Sequence, residues 1–592
     1  MRKSLRLSLL LTALLPSFAG SPLAAAAAPK AASAATADAA RIRSDVAWLA
    51  DDAREGRGVG TAGLVAAEEW LAARYAQLGL EPAGEGSTYF HGFEVPVKVV
   101  PGAGTRLEID GQALAAESFT LAAFSGSGEA AGQLVAAGYG ITAPDLTHDD
   151  YEKLDVKGKI VVVRRFTPGG ARFADEESQR RFGDLHYKVF NAREHGAAGV
   201  LIVDWPELLT GEELPAEAKL PGLEVDVKGD AGLPVMVLRR EAGKALFSGE
   251  HQVKMVADLE VQRKKTRNVA GWVRAGAAQK KAEALVLGAH FDHLGLGGHH
   301  GSLAPEAREP HNGADDNASG TAAMLEIARL LQARRGELER DVLILAFSAE
   351  ESGLLGSAAF TRNPSGGYRN EDALAMVNLD MVGRLREDKL QILGTASAAE
   401  WPELLQPLCE REKLQCKMGG DGYGPSDQMS FYTVGVPVLH FFTGTHEDYH
   451  KPSDDTATIN AEGAARVAGV VAETLVALGR RGEKLTYVAA TAPLPQGDAR
   501  SSGAGLGTVP DYADDKPGVR ISGARPDSAA AKAGVLPGDR IVELGGSQIR
   551  NIYDYVYVLR NAKPGEKAKL VVIRGEERLE LEVTYDEGRR RP

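Results

Sequence analysis

Ala284-Leu285-Val286-Leu287-Gly288-Ala289-His290-Phe291-Asp292-His293 runs from an unbroken apolar stretch straight into residue types that bind metals and carry protons. A short run without polar alternation is the pattern of a strand buried on both faces, as in parallel sheets covered by helices. Val342 to Phe347, Leu374 to Leu379 and Val436 to Phe442 have the same character. Between the first two runs, Ser319 to Arg334 sets Met324, Leu325, Ala328 and Leu331 at helical core spacing, with Ser319 as the expected N-cap. Residues 266–485 are therefore predicted to be an α/β domain, a mixed and largely parallel sheet flanked by helices.

Open α/β sheets place their sites beyond the carboxyl ends of their strands. There this sequence sets His290 and Asp292, then Asp315 and Asp316 in Asn312 to Gly320, then Glu350-Glu351, Asp380 and Asp448-Tyr449-His450. Two histidines and three carboxylates suit a pair of zinc ions sharing one bridging carboxylate. Such a pair acidifies a water and polarises a carbonyl, while one glutamate of an adjacent pair ligates and the other handles the proton. Each element alone has a plainer explanation: Asp-Asp-Asn can cap a helix, and Asn317-Ala318-Ser319 matches a glycosylation sequon. Their arrival together at successive strand ends points to a site.

The rest of the chain frames that domain. At 592 residues, with 44% apolar and 25% charged residues, the sequence has the composition of a multidomain globular protein. A net charge of -13 and the lack of a basic stripe interleaved with aromatics exclude nucleic acid as the expected partner. Arg2, Lys3 and Arg6 precede the apolar run Leu7 to Leu15 and a tract of small residues, which reads as a signal peptide over 1–28 cut near Ala26 to Ala28. No run approaches the ~20 apolar residues of a membrane span. The expected location is therefore periplasmic or extracellular, where the two cysteines, Cys409 and Cys416, could pair or stay free. Ala62 to Leu78 is predicted as a helix closed by Gly79, and 489–503 as a Pro/Gly/Ser-rich linker.

Three resemblances follow from particular motifs. Gly138-Tyr139-Gly140-Ile141, Val156-Lys157-Gly158-Lys159-Ile160-Val161 and His195-Gly196-Ala197-Ala198-Gly199-Val200 resemble a protease-associated (PA) domain, bounded here as 111–261. It would split the catalytic domain, leaving 38–110 as that domain's N-terminal part. Gly518-Val519-Arg520-Ile521 and Leu536-Pro537-Gly538-Asp539-Arg540-Ile541 resemble a PDZ domain over 504–588. Its loop Gly505-Leu506-Gly507-Thr508 would receive a peptide C-terminus, or the module would only pack. Ala289-His290-Phe291-Asp292, Gly313 to Gly320, Ala349 to Ser357, Asn378-Leu379-Asp380-Met381 and Asp448-Tyr449-His450 resemble the co-catalytic di-zinc aminopeptidases.

That last resemblance implies two zinc ions per chain, with His290 and Asp380 on one, Glu351 and His450 on the other, and Asp315 bridging. It implies Glu350 as general base, attack by a zinc-bound hydroxide, and Asp292 hydrogen-bonded to the far nitrogen of His290. Peptides with free N-termini would be the substrates. Tyr423 is a candidate oxyanion donor or a packing tyrosine; His299, His300 and His311 are expected at a pocket rim, and His293 in packing. A carboxypeptidase or dipeptidase on the same fold and a catalytically idle PA/PDZ binding protein remain the alternatives.

Overall fold

A computed structural model describes residues 36–208, 213–223, 230–297, 301–424, 426–489, 504–510, 516–524 and 527–587. The expected signal peptide and nearly all of the expected linker lie outside the described residues, as do His299 and His300.

The main sheet has nine strands: β1 Glu81–Pro82, β2 Phe90–Pro101, β3 Leu259–Val273, β4 Ala284–His290, β5 Val342–Phe347, β6 Ala373–Leu379, β7 Lys389–Leu393, β8 Gln415–Gly419 and β9 Val438–Phe442. They lie in the order β1-β3-β5-β4-β6-β9-β7-β8, with β2 paired to β3. β5, β4, β6 and β9 are mutually parallel, and antiparallel pairs flank them at β3 and β7. All four apolar runs of the sequence form this central block, and β4 and β5 are buried along their whole length. Helices Ala39–Leu49, Gly320–Ala333 and Ala461–Arg480 cover one face, while Phe360 of helix Leu355–Arg362 and Phe431 of helix Gln428–Thr433 pack on the other. The Cys409–Cys416 pair, left open by the sequence, is a disulfide.

Local chemistry explains the helix ends. Helix Ala62–Gln77 starts where Thr61 Oγ1 accepts from Leu64 N at 3.1 Å. It ends at Gly79, whose φ of +71° lets Leu80 N return to the Tyr75 carbonyl. Helix Gly320–Ala333 differs from expectation, because Ser319 is already helical and its hydroxyl donates to the Asp315 carbonyl at 2.8 Å. The cap is Asn317, whose Oδ1 accepts from Gly320 N at 2.9 Å. Asn317 is fully buried and its amide donates to Leu379 O, so the sequon serves the fold.

A second sheet, Gln112–Ala113 to Phe119–Leu121 at its edges, is built around the parallel strands Gly128–Ala136, Ile160–Arg164, Gly199–Val203 and Val235–Leu238. Its boundaries differ from 111 and 261. Arg106–Ile109 already pairs with Gln252–Ala257, and β3 pairs with β2 from Leu259 on, because the chain changes sheet at the turn where Gly102 N bonds Asp258 O. The third sheet, Thr508–Pro510, Val519–Ala524, Arg540–Leu544, Lys567–Arg574 and Glu577–Thr584, packs with helix Ile552–Asn561.

That helix also holds the third sheet's module against the second. Tyr557 OH donates to Asp184 at 2.6 Å, Arg193 pairs with Asp554 at 2.8 Å, and Tyr553 stacks on His186 at 3.9 Å. Arg550 pairs with Asp230 at 3.1 Å, and Asn551 donates to the Asp230 carbonyl at 2.9 Å.

Candidate metal centre

β4 ends in His290, β6 leads into Asp380, and the loop after β5 carries Glu350 and Glu351, so three adjacent parallel strands deliver four of the predicted side chains to one place. His290 Nε2 lies 3.3 Å from Asp316 Oδ1 and 3.4 Å from Asp380 Oδ1. On the other side of Asp316, His450 Nε2 lies 3.2 Å from Asp316 Oδ2 and 3.2 Å from Glu351 Oε2. Asp316 thus stands between two histidines, one carboxylate oxygen toward each.

It is Asp316 that stands between the two histidines, where the sequence placed Asp315. Asp316 and Asn317 leave the helical geometry that Asp315 keeps, so the two aspartates do not point the same way. Asp315 consequently turns away. Its Oδ1 accepts from Gly383 N at 2.7 Å and from Ser319 at 2.9 Å, and its Oδ2 faces His446 Nε2 at 3.3 Å. Asp454 fixes the turn by accepting from the backbone N–H of both Asp315 and Asp316, and Arg384 holds Asp454 at 2.8 Å.

Asp292 is also placed differently. Its carboxylate is 3.8 Å from His290 Nδ1, beyond hydrogen-bond reach, and that nitrogen faces the Asp292 carbonyl at 3.3 Å. The carboxylate instead accepts from Glu350 N at 3.0 Å and Glu351 N at 3.3 Å, so Asp292 aims the glutamate loop. Burial pushes its carboxyl up to about 6.

The donor set fits divalent metal. Among the described residues, His290 Nε2, His450 Nε2 and Asp380 Oδ1 are buried and have no hydrogen-bond partner, although carboxylate or imidazole atoms stand 3.2–3.4 Å away. Two ligand atoms held ~2.1 Å from a shared tetrahedral zinc lie about 3.4 Å apart, which is this spacing. Charge agrees with geometry. Burial disfavours the imidazolium of His290, yet the surrounding carboxylates of Glu350, Asp380 and Asp316 raise it well above its ordinary value. His450 is likewise driven up to about 10 against its burial by Asp316 and Glu351. Burial and Asp316 oppose ionisation of Glu351, but His293 and His450 hold it at about 2. The cluster draws positive charge, the demand that bound cations meet.

Glu350 has another environment. Burial raises its carboxyl well above the carboxylate range, and Glu351, Asp427 and Asp380 add to that rise. Asp427, itself pushed up to about 7 by burial, was not singled out in the sequence. Neither was Arg57, fully buried, which donates to the carbonyls of Leu49, Phe291, Asn312 and Gly313 at 2.6–3.0 Å and ties the N-terminal segment to two site loops. His293, assigned to packing, sets Nδ1 2.6 Å from Glu351 Oε1 and also falls within metal-binding distance of Asp316 and Glu351. Nδ1 of His293 engages Glu351 and orients that carboxylate; Nε2 of His293 and Nε2 of His450 are both buried without a hydrogen bond among the described residues, and it is His450 Nε2 that stands 3.2 Å from both Asp316 and Glu351. His450 Nδ1 lies 2.7 Å from the Gly301 carbonyl, which points Nε2 inward.

Tyr423 packs edge-on against Tyr432 at 4.9 Å, as its packing alternative describes. His311 is fully buried, with Nε2 2.8 Å from Ser302 Oγ, so it braces its loop rather than forming a rim. The site opens into a cleft of about 810 Å³ lined by His290, Asp316, Glu350, Glu351, Asp380 and Tyr449.

Residues 268–475 match the model of Peptidase family M28, residues 130–246 that of the PA domain and residues 520–574 that of the PDZ domain. The aminopeptidase YwaD of Bacillus subtilis is 28% identical over 342 residues, covering 55% of this chain and 64% of YwaD. The probable lipoprotein aminopeptidase LpqL of Mycobacterium tuberculosis is 30% identical over 224 residues, covering 37% of this chain and 36% of LpqL. The match thus spans less than two thirds of either relative. Among solved structures, an aminopeptidase from Aneurinibacillus sp. strain AM-1 aligns with a TM-score of 0.46 at 21% identity, over 77% of this chain and 98% of that one. BSAP, a zinc aminopeptidase from Bacillus subtilis, aligns with a TM-score of 0.45 at 22% identity, over 74% of this chain and 94% of that one.

Proposed function

We propose that this chain, whose residues 268–475 belong to peptidase family M28, is an exported zinc-dependent aminopeptidase that removes N-terminal residues from peptides. The observation that carries the reading is Asp316 standing between His290 and His450 at 3.3 and 3.2 Å, each histidine also facing a second carboxylate. His290, Asp316 and Asp380 would hold one zinc, and Asp316, Glu351 and His450 the other. Bound there, the two ions would supply Lewis acidity to the scissile carbonyl and lower the pKa of the attacking water.

The chain's own groups do the remaining work. Glu350, at the cleft wall, accepts a proton from the attacking water as its oxygen bonds to the carbonyl carbon. It then delivers that proton to the amide nitrogen as the C–N bond breaks. A carboxyl raised by burial suits a group that must hold a proton between those steps. Asp292 keeps Glu350 and Glu351 aimed through their backbone N–H groups.

The test is hydrolysis of aminoacyl-p-nitroanilides and their N-acetylated forms by the full chain, with metal content measured in parallel. The expected outcome is zinc-dependent cleavage of free amines alone, two zincs per chain, and a loss of ~10² to 10⁴ in kcat for Glu350→Gln with zinc retained. Two bound zincs without turnover of any free-amine substrate would overturn the reading.

A further inference from the structure

The cleft has a wall that the catalytic domain does not supply. Pro510, Arg520, Pro537 and Gly538 of the PDZ domain line the same cavity as His290, Glu350 and Asp380. They come from one edge of that domain. Arg520 lies on strand Val519–Ala524, and the Pro537-Gly538 turn is tied to that strand by Gly538 N bonding the Ile521 carbonyl at 2.7 Å. Asp539 braces the turn by accepting from Leu536 N at 2.9 Å while paired with Arg574 at 2.7 Å.

This wall is anchored at its far side. The PDZ helix is clamped to the PA domain through Tyr557–Asp184 and Arg193–Asp554, the latter pair largely buried, and the residues just before it through Arg550–Asp230. The module is thus held by the PA domain at one side and faces the cleft with the other.

The cleft is lined by charges of both signs. Asp316, Glu350, Glu351 and Asp380 crowd the metal end, whereas the two cationic lysine-or-arginine side chains of the lining are Arg362, at the end of helix Leu355–Arg362, and Arg520. A free peptide is a zwitterion, and an arginine fork matches its terminal carboxylate in shape as well as charge. About 810 Å³ lies in the range of cavities that enclose drug-sized ligands, which for peptides means a few residues.

We propose that the PDZ domain forms a wall of the substrate cleft, where Arg520, together with Arg362 of the same lining, binds the α-carboxylate of short free peptides about two to five residues long. The inference rests on the aminopeptidase reading, and the PDZ module then acts as a specificity wall of the cleft. Arg520 is a binding residue; it takes no part in the bond-breaking steps.

The experiment compares kcat/KM for one tripeptide as free acid and as C-terminal amide, and for the aminoacyl-p-nitroanilide with the same first residue, using full-length wild type, Arg520→Gln and Arg520→Lys. Wild type is expected to prefer the acid over the amide at least tenfold. Arg520→Gln is expected to abolish that preference through KM, leaving the amide and the anilide within about twofold, and Arg520→Lys to restore part of it. The acid preference should vanish for a ten-residue peptide. Equal turnover of acid and amide by wild type, or an acid preference intact in Arg520→Gln, would overturn the proposal, as would an equal loss on all three substrates. The anilide rate separates these outcomes from failure of the aminopeptidase reading, because it requires no carboxylate.

Discussion

The parallel strands Ile160–Arg164, Gly199–Val203 and Val235–Leu238 of the PA sheet are as buried as β4, β5 and β6 of the peptidase sheet, yet the charges at their carboxyl ends are in a different condition. In the PA sheet, Arg164 pairs with Glu207 at 3.0 Å, Asp204 with Arg240 at 3.0 Å, and Arg239 Nε donates to the Glu117 carbonyl at 2.9 Å. At the peptidase site, His290 Nε2, His450 Nε2 and Asp380 Oδ1 have carboxylates or imidazoles beside them and, among the described residues, no hydrogen bond. The same architecture therefore spends its polar groups on stability in one place and leaves them available to a ligand in the other. A buried polar atom without a partner costs stability, so a cluster of them marks a site.

The comparison breaks most visibly at Asp316. Asp316→Asn should lower turnover by about 10³-fold or more and reduce bound zinc below two per chain, read by metal analysis of the purified protein. Asp315→Asn should keep both ions, because Asp315 faces Gly383, Ser319 and His446. The reverse pattern would return the bridging role to Asp315. A smaller effect is expected one step out. His293→Ala removes the partner of Glu351 Oε1 and should weaken zinc affinity ~10 to 100-fold in a competition titration with a chelator, with activity recoverable at high zinc.

On the PA side the sign of the contrast reverses. Asp204 is buried, pairs with Arg240 and accepts from Ala218 N at 2.7 Å. Asp204→Ala leaves the largely buried Arg240 guanidinium with the backbone carbonyls of residue 204 and Pro215 as its partners and should cost about 3 kcal/mol of PA-domain stability, measured by chemical denaturation. Hydrolysis of the aminoacyl-p-nitroanilide by the folded fraction should stay within about twofold of wild type. A loss as large as that of Asp316→Asn would mean that the PA strand ends also serve the reaction.

The same contrast explains what the sequence discloses. Apolar runs of five to seven residues define buried strands, and the ligand types after them define the site, because both depend on local composition. Asp315 and Asp316 have the same chemistry, so only the backbone angles of the turn decide which one faces His290, and those angles are set by Asp454, more than a hundred residues later. Asp292 reads as a histidine partner by adjacency, yet it serves the backbone of a loop 58 residues on. Arg57 and Asp427 carry no motif at all; their roles arise from tertiary burial. The PA boundary shifts from 111 to the turn near 102 because β-ladder membership, rather than composition, decides where Arg106–Ile109 belongs.

The smallest expected effect on turnover concerns a lysine that the PA core encloses. Lys188 is fully buried, with Nζ donating to the Tyr139 carbonyl at 2.6 Å, and burial lowers its ammonium to about 7 from an ordinary 10.5. The unfolded chain keeps that proton up to about pH 10, so between pH 7 and 10 the unfolded state binds more protons and stability must rise with pH. Below about pH 7 both states are protonated and the slope ends. From pH 7 to 9 the rise should reach about 2 kcal/mol, read as slower hydrogen exchange of the Ile160–Arg164 amides in wild type relative to Lys188→Met at matched intrinsic exchange rates. Anilide hydrolysis should be the same in both proteins at each pH. If the two proteins share one stability profile, Lys188 is neutralised by a partner rather than by losing its proton. The PA interior would then balance its enclosed charge as its strand ends do.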